Sequence, residues 1–339
     1  MSSNSLPDVE RTLVFGSERN LVGTLTMPSG EPGQRAPRTA VLLTNVGIMP
    51  RCGPYRVNVD LARRFARIGV PTLRFDMSGL GDSGRSSGAK DVAQQWILDT
   101  RAAMDAVQAQ LGIRRFIMIG VCSGADIAYL TAPDEPRLSG IVMFDPYLYP
   151  TRRSAVIGLV RRVRGLGLTA TAKLMAGRVQ RAVRRVVAKG EAEGEQPEST
   201  MRYGASAPPL SEFAAKLGAT VKRGGRVMLL YSGSYPYHHN YEAQTADNLR
   251  PYGLADKVEY AMIQAADHVL MGLAGRRQFL ARCVETVERW TAAPTPQTAD
   301  TPTFVPSRLG AVAEWAVTAA RTQLPAAANG AMAPARHAA

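Results

Sequence analysis

Cysteine is scarce in this chain. Cys52, Cys122 and Cys283 are too few and too far apart for a disulfide framework or a metal-ligand cluster, which points to a reducing compartment. No run of about eighteen apolar residues occurs, so no helix is expected to span a membrane. Residues 1–11 lack the apolar stretch of a secretory signal, and the cytosol is the expected location. Histidine is also rare, with four residues, which leaves few candidates for a general base. Acidic residues are missing from 151 to 189, a stretch that holds eleven Lys or Arg. That segment supplies +11 of the net charge of +13, leaving +2 for everything else. The basic balance therefore belongs to one insert. The insert has no interleaved aromatics on which bases could stack, so nucleic acid is not the expected partner.

What is present is a globular chain. Its 339 residues, 45% of them hydrophobic, are enough for one large or two ordinary domains and exclude a miniprotein, a collagen-like fibre or a wholly disordered chain. A hairpin is expected first, Arg11–Phe15 and Leu21–Thr26 around a turn at 16–20. From Ala40 on, short apolar runs alternate with helical periodicity. Strands are expected at Val41–Thr44, Val70–Phe75, Phe116–Ile119, Ile141–Phe144, Val227–Tyr231 and Val258–Ile263. Helices are expected at Val57–Ile68, Val92–Leu111, from about Ser123, at Ser211–Leu217 and at Arg276–Trp290. Continuous apolar strands separated by helices indicate a mostly parallel sheet covered on both faces.

Residues 151–207 are too long for a simple loop between a strand and a helix. Arg178, Arg181 and Arg185 fall on one helical face and Val179, Val183 and Val186 on the other, the pattern of a lid laid over a pocket. The expected division is a core of 1–150 and 208–292, a basic helical lid at 151–207, and a Pro/Ala-rich tail at 293–339. Within the tail, Arg308–Gln323 with Trp315 is a candidate partner-binding helix, and 325–339 are expected to be disordered.

The chemistry centres on Gly120-Val121-Cys122-Ser123-Gly124, which directly follows a strand and opens a helix. A sharp strand-to-helix turn needs small residues two positions either side of its apex. That frame selects Cys122, flanked by glycines, over Ser123, flanked by Val121 and Ala125. A helix N-terminus favours a thiolate there. The competing reading is a buried structural cysteine beside a glycine turn. His268, in Asp267-His268 after the last expected strand, is the histidine placed to meet a nucleophile from the sheet centre.

Residues 40–290 resemble an α/β-hydrolase. The stretch Arg74-Phe75-Asp76-Met77-Ser78-Gly79-Leu80-Gly81-Asp82-Ser83 is similar to one in serine-aminopeptidase-like members, and with Arg51, Gly53, Pro54 and Arg56 it resembles exosortase-system-associated and related bacterial hydrolases. The resemblance implies a nucleophile elbow with the triad order nucleophile, acid, histidine. Cysteine in place of serine at the elbow resembles dienelactone hydrolases, polyester synthases and some thioesterases of the fold.

The loop after Tyr231 has no carboxylate through Asn240, where the family usually places its acid. Asp145 is the best substitute, an arrangement like that of carrier-protein thioesterases; its other reading is an Asx-type turn before Pro146. Glu242 is a second candidate, and a Cys122–His268 dyad without an acid is the third possibility. The resemblance further implies an oxyanion hole from the backbone N–H groups of Ser123 and Gly47, with Val46 the nearest alternative. Arg51, Arg56, Asp76, Gly79, Gly81 and Asp82 read as loop-fixing residues. Asp76 and Asp82 fall short of a calcium-loop pattern, and neither a metal nor a cofactor is implied. Tyr235, Tyr237, His238, His239 and Tyr241 either line the pocket mouth or pack.

The expected activity is cleavage of an ester or thioester through an acyl-enzyme on Cys122, with acyl transfer from carrier-protein or coenzyme A thioesters as the alternative. A catalytically silent scaffold is the reading from another class, motivated by the missing acid after Tyr231. For the basic insert three readings stand: a solvated face, a dock for an acidic carrier protein or coenzyme A phosphates, and peripheral contact with an anionic membrane.

Overall fold

The computed structural model describes residues 9–28, 37–87, 89, 91–173, 176–177, 180, 207–233 and 241–292. The helix expected around Arg178, Arg181 and Arg185 lies outside them. So do Tyr235, Tyr237, His238, His239 and everything from 293 on, Trp315 included.

The hairpin forms as β1 (Val9–Phe15) and β2 (Leu21–Met27), antiparallel with Phe15 opposite Leu21. It joins one edge of an eight-stranded sheet ordered β1-β2-β4-β3-β5-β6-β7-β8. The remaining strands are β3 (Ala40–Leu43), β4 (Thr72–Phe75), β5 (Phe116–Val121), β6 (Leu138–Phe144), β7 (Arg226–Ser232) and β8 (Glu259–Ile263). β2 meets β4 antiparallel, and the pairings among β3 to β8 are all parallel. The carboxyl ends of six strands therefore share one edge, and the loops leaving them meet there.

Two layers of helix cover the sheet, and the alternation of side chains along each strand explains why. Leu42, Leu73, Phe75, Met118 and Leu229 point to the face packed by α2 (Val92–Leu111), α3 (Ser123–Thr131) and α5 (Leu210–Lys222). Their neighbours Val41, Leu43, Ile117, Ile119 and Leu230 point to the face packed by α1 (Val57–Arg67) and α7 (Leu273–Ala292). Phe65, Phe75, Phe116 and Phe144 are wholly buried, each contributing about 1.5–3 kcal/mol.

Among the boundaries that depart from expectation, three have clear local reasons. β5 runs on through Gly120 and Val121 because its pairing with Met143 and Phe144 of β6 continues up to the elbow. β4 begins at Thr72 because the Val70 amide closes the end of α1 by donating to the Phe65 carbonyl at 2.9 Å. α7 begins at Leu273, one turn before the expected Arg276, since the Arg276 amide already bonds the Gly272 carbonyl at 2.9 Å. A short helix, α6 (Gln244–Leu249), was not anticipated.

The insert after β6 opens with α4 (Arg152–Leu166). Thr151 and Ser154 cap its start reciprocally: the Thr151 hydroxyl accepts from the Ser154 amide at 3.0 Å, and the Ser154 hydroxyl accepts from the Thr151 amide at 2.7 Å. Gly167, at φ 82°, ends it.

Candidate active site

The elbow lies between β5 and α3. Cys122 is held at φ 55° and ψ −119°, a conformation that non-glycine residues rarely adopt. The turn over-determines it: the Cys122 amide donates to the Phe144 carbonyl at 3.1 Å, and the Cys122 carbonyl accepts from Ala125 at 2.8 Å. Close approach of the chain to itself explains Gly120, because a Cβ there would fall inside the Gly124 carbonyl. The thiol is half-buried rather than enclosed. Cys283, by contrast, is fully buried within the core, where desolvation pushes its thiol well above the ordinary range.

His268 sits in the loop after β8. Its Nδ1 lies 2.9 Å from Oδ2 of Asp145, and its ring also hydrogen-bonds Cys122, so Nε2 is the nitrogen left for the sulfur. The Asp145 side chain is 1% exposed, and its second oxygen accepts from the Ser232 amide at 2.7 Å. Cys122, His268 and Asp145 are thus brought into one contact chain. Glu242, the other carboxylate candidate, is exposed. The His268 imidazole is pushed up to about 10, first by its hydrogen bond to Asp145 and then by that to Cys122, both of which outweigh burial.

Asp267, unassigned in the sequence, shapes the histidine loop. Its carboxylate accepts from the amides of Val269, Met271 and Gly272 at 3.1, 3.0 and 2.9 Å. Burial alone would raise this carboxyl, but those amides hold it below its usual range. The available signal was an aspartate immediately before the histidine in a short post-strand loop.

The loop after β3 carries the expected oxyanion donor. The Gly47 N–H points at the start of α3, where it donates to the Ser123 hydroxyl at 2.7 Å. The Val46 carbonyl accepts from the Met49 amide at 3.1 Å and closes the turn. Asp76, wholly buried, pins this loop by accepting from Asn45 Nδ2 at 2.9 Å and from the Arg51 amide and guanidinium at 2.6 Å each. Arg51 also reaches Asp82 at 2.6 Å; although burial opposes its charge, Asp82 and Asp76 together keep it raised. Asn45, passed over in the sequence, further accepts from the Met77 amide at 2.7 Å and so ties the two loops together.

Tyr241 anchors the base of α4. Its hydroxyl is 2.8 Å from Thr151 Oγ1 and donates to Asp247 at 2.8 Å, while Arg153 stacks over its ring. Beside the carboxyl ends of β6 and β7 a small hollow of about 10 Å³ is lined by Tyr147, Tyr149, Leu210, Phe213, Tyr231 and Leu249.

Asp126, one helical turn after the elbow, is half-buried and hydrogen-bonded to Tyr147; burial pushes its carboxyl up to about 6. A carboxyl with a folded-state value above its unfolded 3.8 makes the fold lose stability as pH rises between about 4 and about 6. Asp126→Asn keeps an acceptor for Tyr147 and removes that cost. Thermal unfolding should show a gain of about 1–2 kcal/mol at pH 7 and almost none at pH 4.

A family model described as serine aminopeptidase, S33, matches residues 36–207. An esterase of Pyrococcus furiosus is similar in structure at 14% identity and TM-score 0.52, the match covering 84% of this chain and 92% of the esterase. The esterase domain of a Rhodothermus marinus protein is similar at 15% identity and TM-score 0.50, with 84% and 100% covered. At such identities the likeness is one of fold. No curated protein matches the sequence.

Proposed function

The chain belongs to the serine aminopeptidase S33 family of α/β-hydrolases, and from that premise we propose that it cleaves an ester or thioester through an acyl-enzyme on Cys122. The observation that carries this reading is the contact chain Cys122–His268–Asp145 at the carboxyl edge of the sheet. The raised imidazole supports His268 as the group that carries the proton between the sulfur and the leaving group.

In this mechanism the Cys122 sulfur attacks the carbonyl carbon and a C–S bond forms. The negative charge moves to the carbonyl oxygen, which takes the N–H groups of Gly47 and Ser123. The Ser123 hydroxyl rotates away to free Gly47. As the bond to the leaving group breaks, the leaving group takes the proton from His268. Neutral His268 then removes a proton from water, the hydroxide attacks the acyl carbon, and the thiolate departs with the imidazolium restored. Asp145 holds the ring and stabilises its charge throughout. An alcohol or amine in place of water turns the same cycle into acyl transfer.

We take 1–150 and 208–292 as one catalytic core with 151–207 inserted, working in the cytosol without a cofactor. In the acyl-transfer reading the donor is a thioester of a carrier protein or of coenzyme A.

Intact mass spectrometry after brief exposure to 4-nitrophenyl esters and acyl-coenzyme A thioesters tests the reading. A single acyl adduct mapping to Cys122, decaying on standing, is expected. Turnover of these substrates with an adduct on any other residue, or no adduct and no turnover across the panel, would overturn it.

A further inference from the structure

α4 is built inside out. Its buried residues are Ser154 and Gly158, small and on one side. On the opposite side Val156, Leu159, Val160 and Val163 fall at i, i+3, i+4 and i+7, the spacing of an apolar stripe. Val156, Leu159 and Val160 are 61%, 44% and 42% exposed, and Leu166 and Leu168 beyond them 55% and 74%. Arg153 and Arg164 flank one side of the stripe by helical position, Arg162 the other, and Arg152 stands at its start. The helix on which the lid expectation rested, around Arg178, lies outside the described residues; α4 turns its own stripe outward.

Further apolar side chains are exposed at the same edge of the sheet. Ile48 after β3, and Met271 and Leu273 after β8, are 60–64% exposed. These loops and α4 all leave the sheet at its carboxyl edge, where the contact chain also lies. Whatever covers this edge must accept apolar side chains and positive charge together. No acid occurs from 151 to 189. Even with Glu191, Glu193, Glu195 and Glu198 counted, residues 151–207 carry +8 (12 basic minus 4 acidic).

We propose that this edge docks on an anionic lipid bilayer, with α4 lying in the interface, its valines and leucines among the acyl chains and its arginines at the headgroup phosphates. An acidic protein would satisfy the arginines alone and leaves the outward stripe unexplained. Among the described residues no helix is long and apolar enough to cross a membrane, so the contact is peripheral. Docking there presents the elbow to substrates that partition into the bilayer.

Co-sedimentation of the full chain with vesicles tests this. Phosphatidylglycerol and phosphatidylcholine in equal parts should bind it, and phosphatidylcholine alone should bind far more weakly. Raising salt from about 0.1 M to about 0.5 M should weaken the binding. Arg152→Gln with Arg164→Gln should cost about 25-fold in affinity. Val156→Ser, Leu159→Ser and Val160→Ser together should cost about tenfold or more. The substituted apolar side chains already face solvent, and circular dichroism checks that the fold is kept. Cys122→Ala should bind like the parent, which separates this proposal from the acyl chemistry. Absence of binding to the anionic vesicles would overturn the proposal. So would binding unchanged by the triple serine variant, or capture by an acidic acyl carrier protein without vesicle binding.

Discussion

Cys122→Ala should abolish turnover of activated esters and thioesters, lowering kcat/KM by roughly 10⁴-fold or more. The elbow tolerates the change sterically, since alanine only removes the sulfur, so circular dichroism and thermal unfolding should stay close to the parent. Ser123→Ala is the matched control. It removes the hydroxyl that accepts from the Gly47 amide at 2.7 Å but keeps the Ser123 amide, and measurable turnover should survive. Iodoacetamide should label Cys122 fast near neutral pH and slowly in His268→Ala, because the imidazolium beside the sulfur is then gone. Cys283, fully buried, should stay unlabelled in the folded chain. Full activity in Cys122→Ala would remove the sulfur from the mechanism. Equal loss in Ser123→Ala would move the nucleophile one residue along.

The second large effect is expected at Asp145. Asp145→Asn preserves an oxygen for the Ser232 amide, and asparagine accepts the residue's φ of 51°, so the backbone has no reason to move. What disappears is the carboxylate that contributes most to raising His268. The imidazole should fall back toward its ordinary range, ring orientation should be lost, and kcat/KM should drop by about 10³-fold. In the proposed cycle His268 supplies the leaving group's proton, so activity should hold through neutral pH and decline as pH approaches about 10. In Asp145→Asn that alkaline limb should move to lower pH. A loss of less than tenfold would mean that Cys122 and His268 work as a dyad.

The same ion pair bears on stability. His268 has a folded-state value above its unfolded 6.5, so its contribution is full below that pH and vanishes as pH rises toward about 10. Comparing parent and His268→Ala unfolding at pH 6 and at pH 10 should show the difference shrinking at the higher pH.

Much of the architecture could be read locally. Strand alternation in Val41–Leu43 and Phe116–Ile119 sorts side chains to two faces within a few residues, and both faces are covered by helices as that pattern requires. The elbow was legible because backbone crowding at Gly120 and Gly124 leaves only small residues there. Asn45 and Asp267 escaped notice because their work is done through hydrogen bonds to loops that carry no periodicity.

The sequence by itself determined the hydrolase class, the cysteine at the apex of the turn and a short list of partners, because turn sterics and hydrophobic periodicity act over neighbouring residues. Only the tertiary structure shows which carboxylate meets His268. Asp145 meets His268 across 123 residues of chain, and nothing local to either residue states that β6 and β8 deliver them to the same edge. The orientation of α4 was decided there too: its stripe is plain in the sequence, but only the fold shows that Ser154 and Gly158 are the residues turned inward, which leaves the stripe toward solvent.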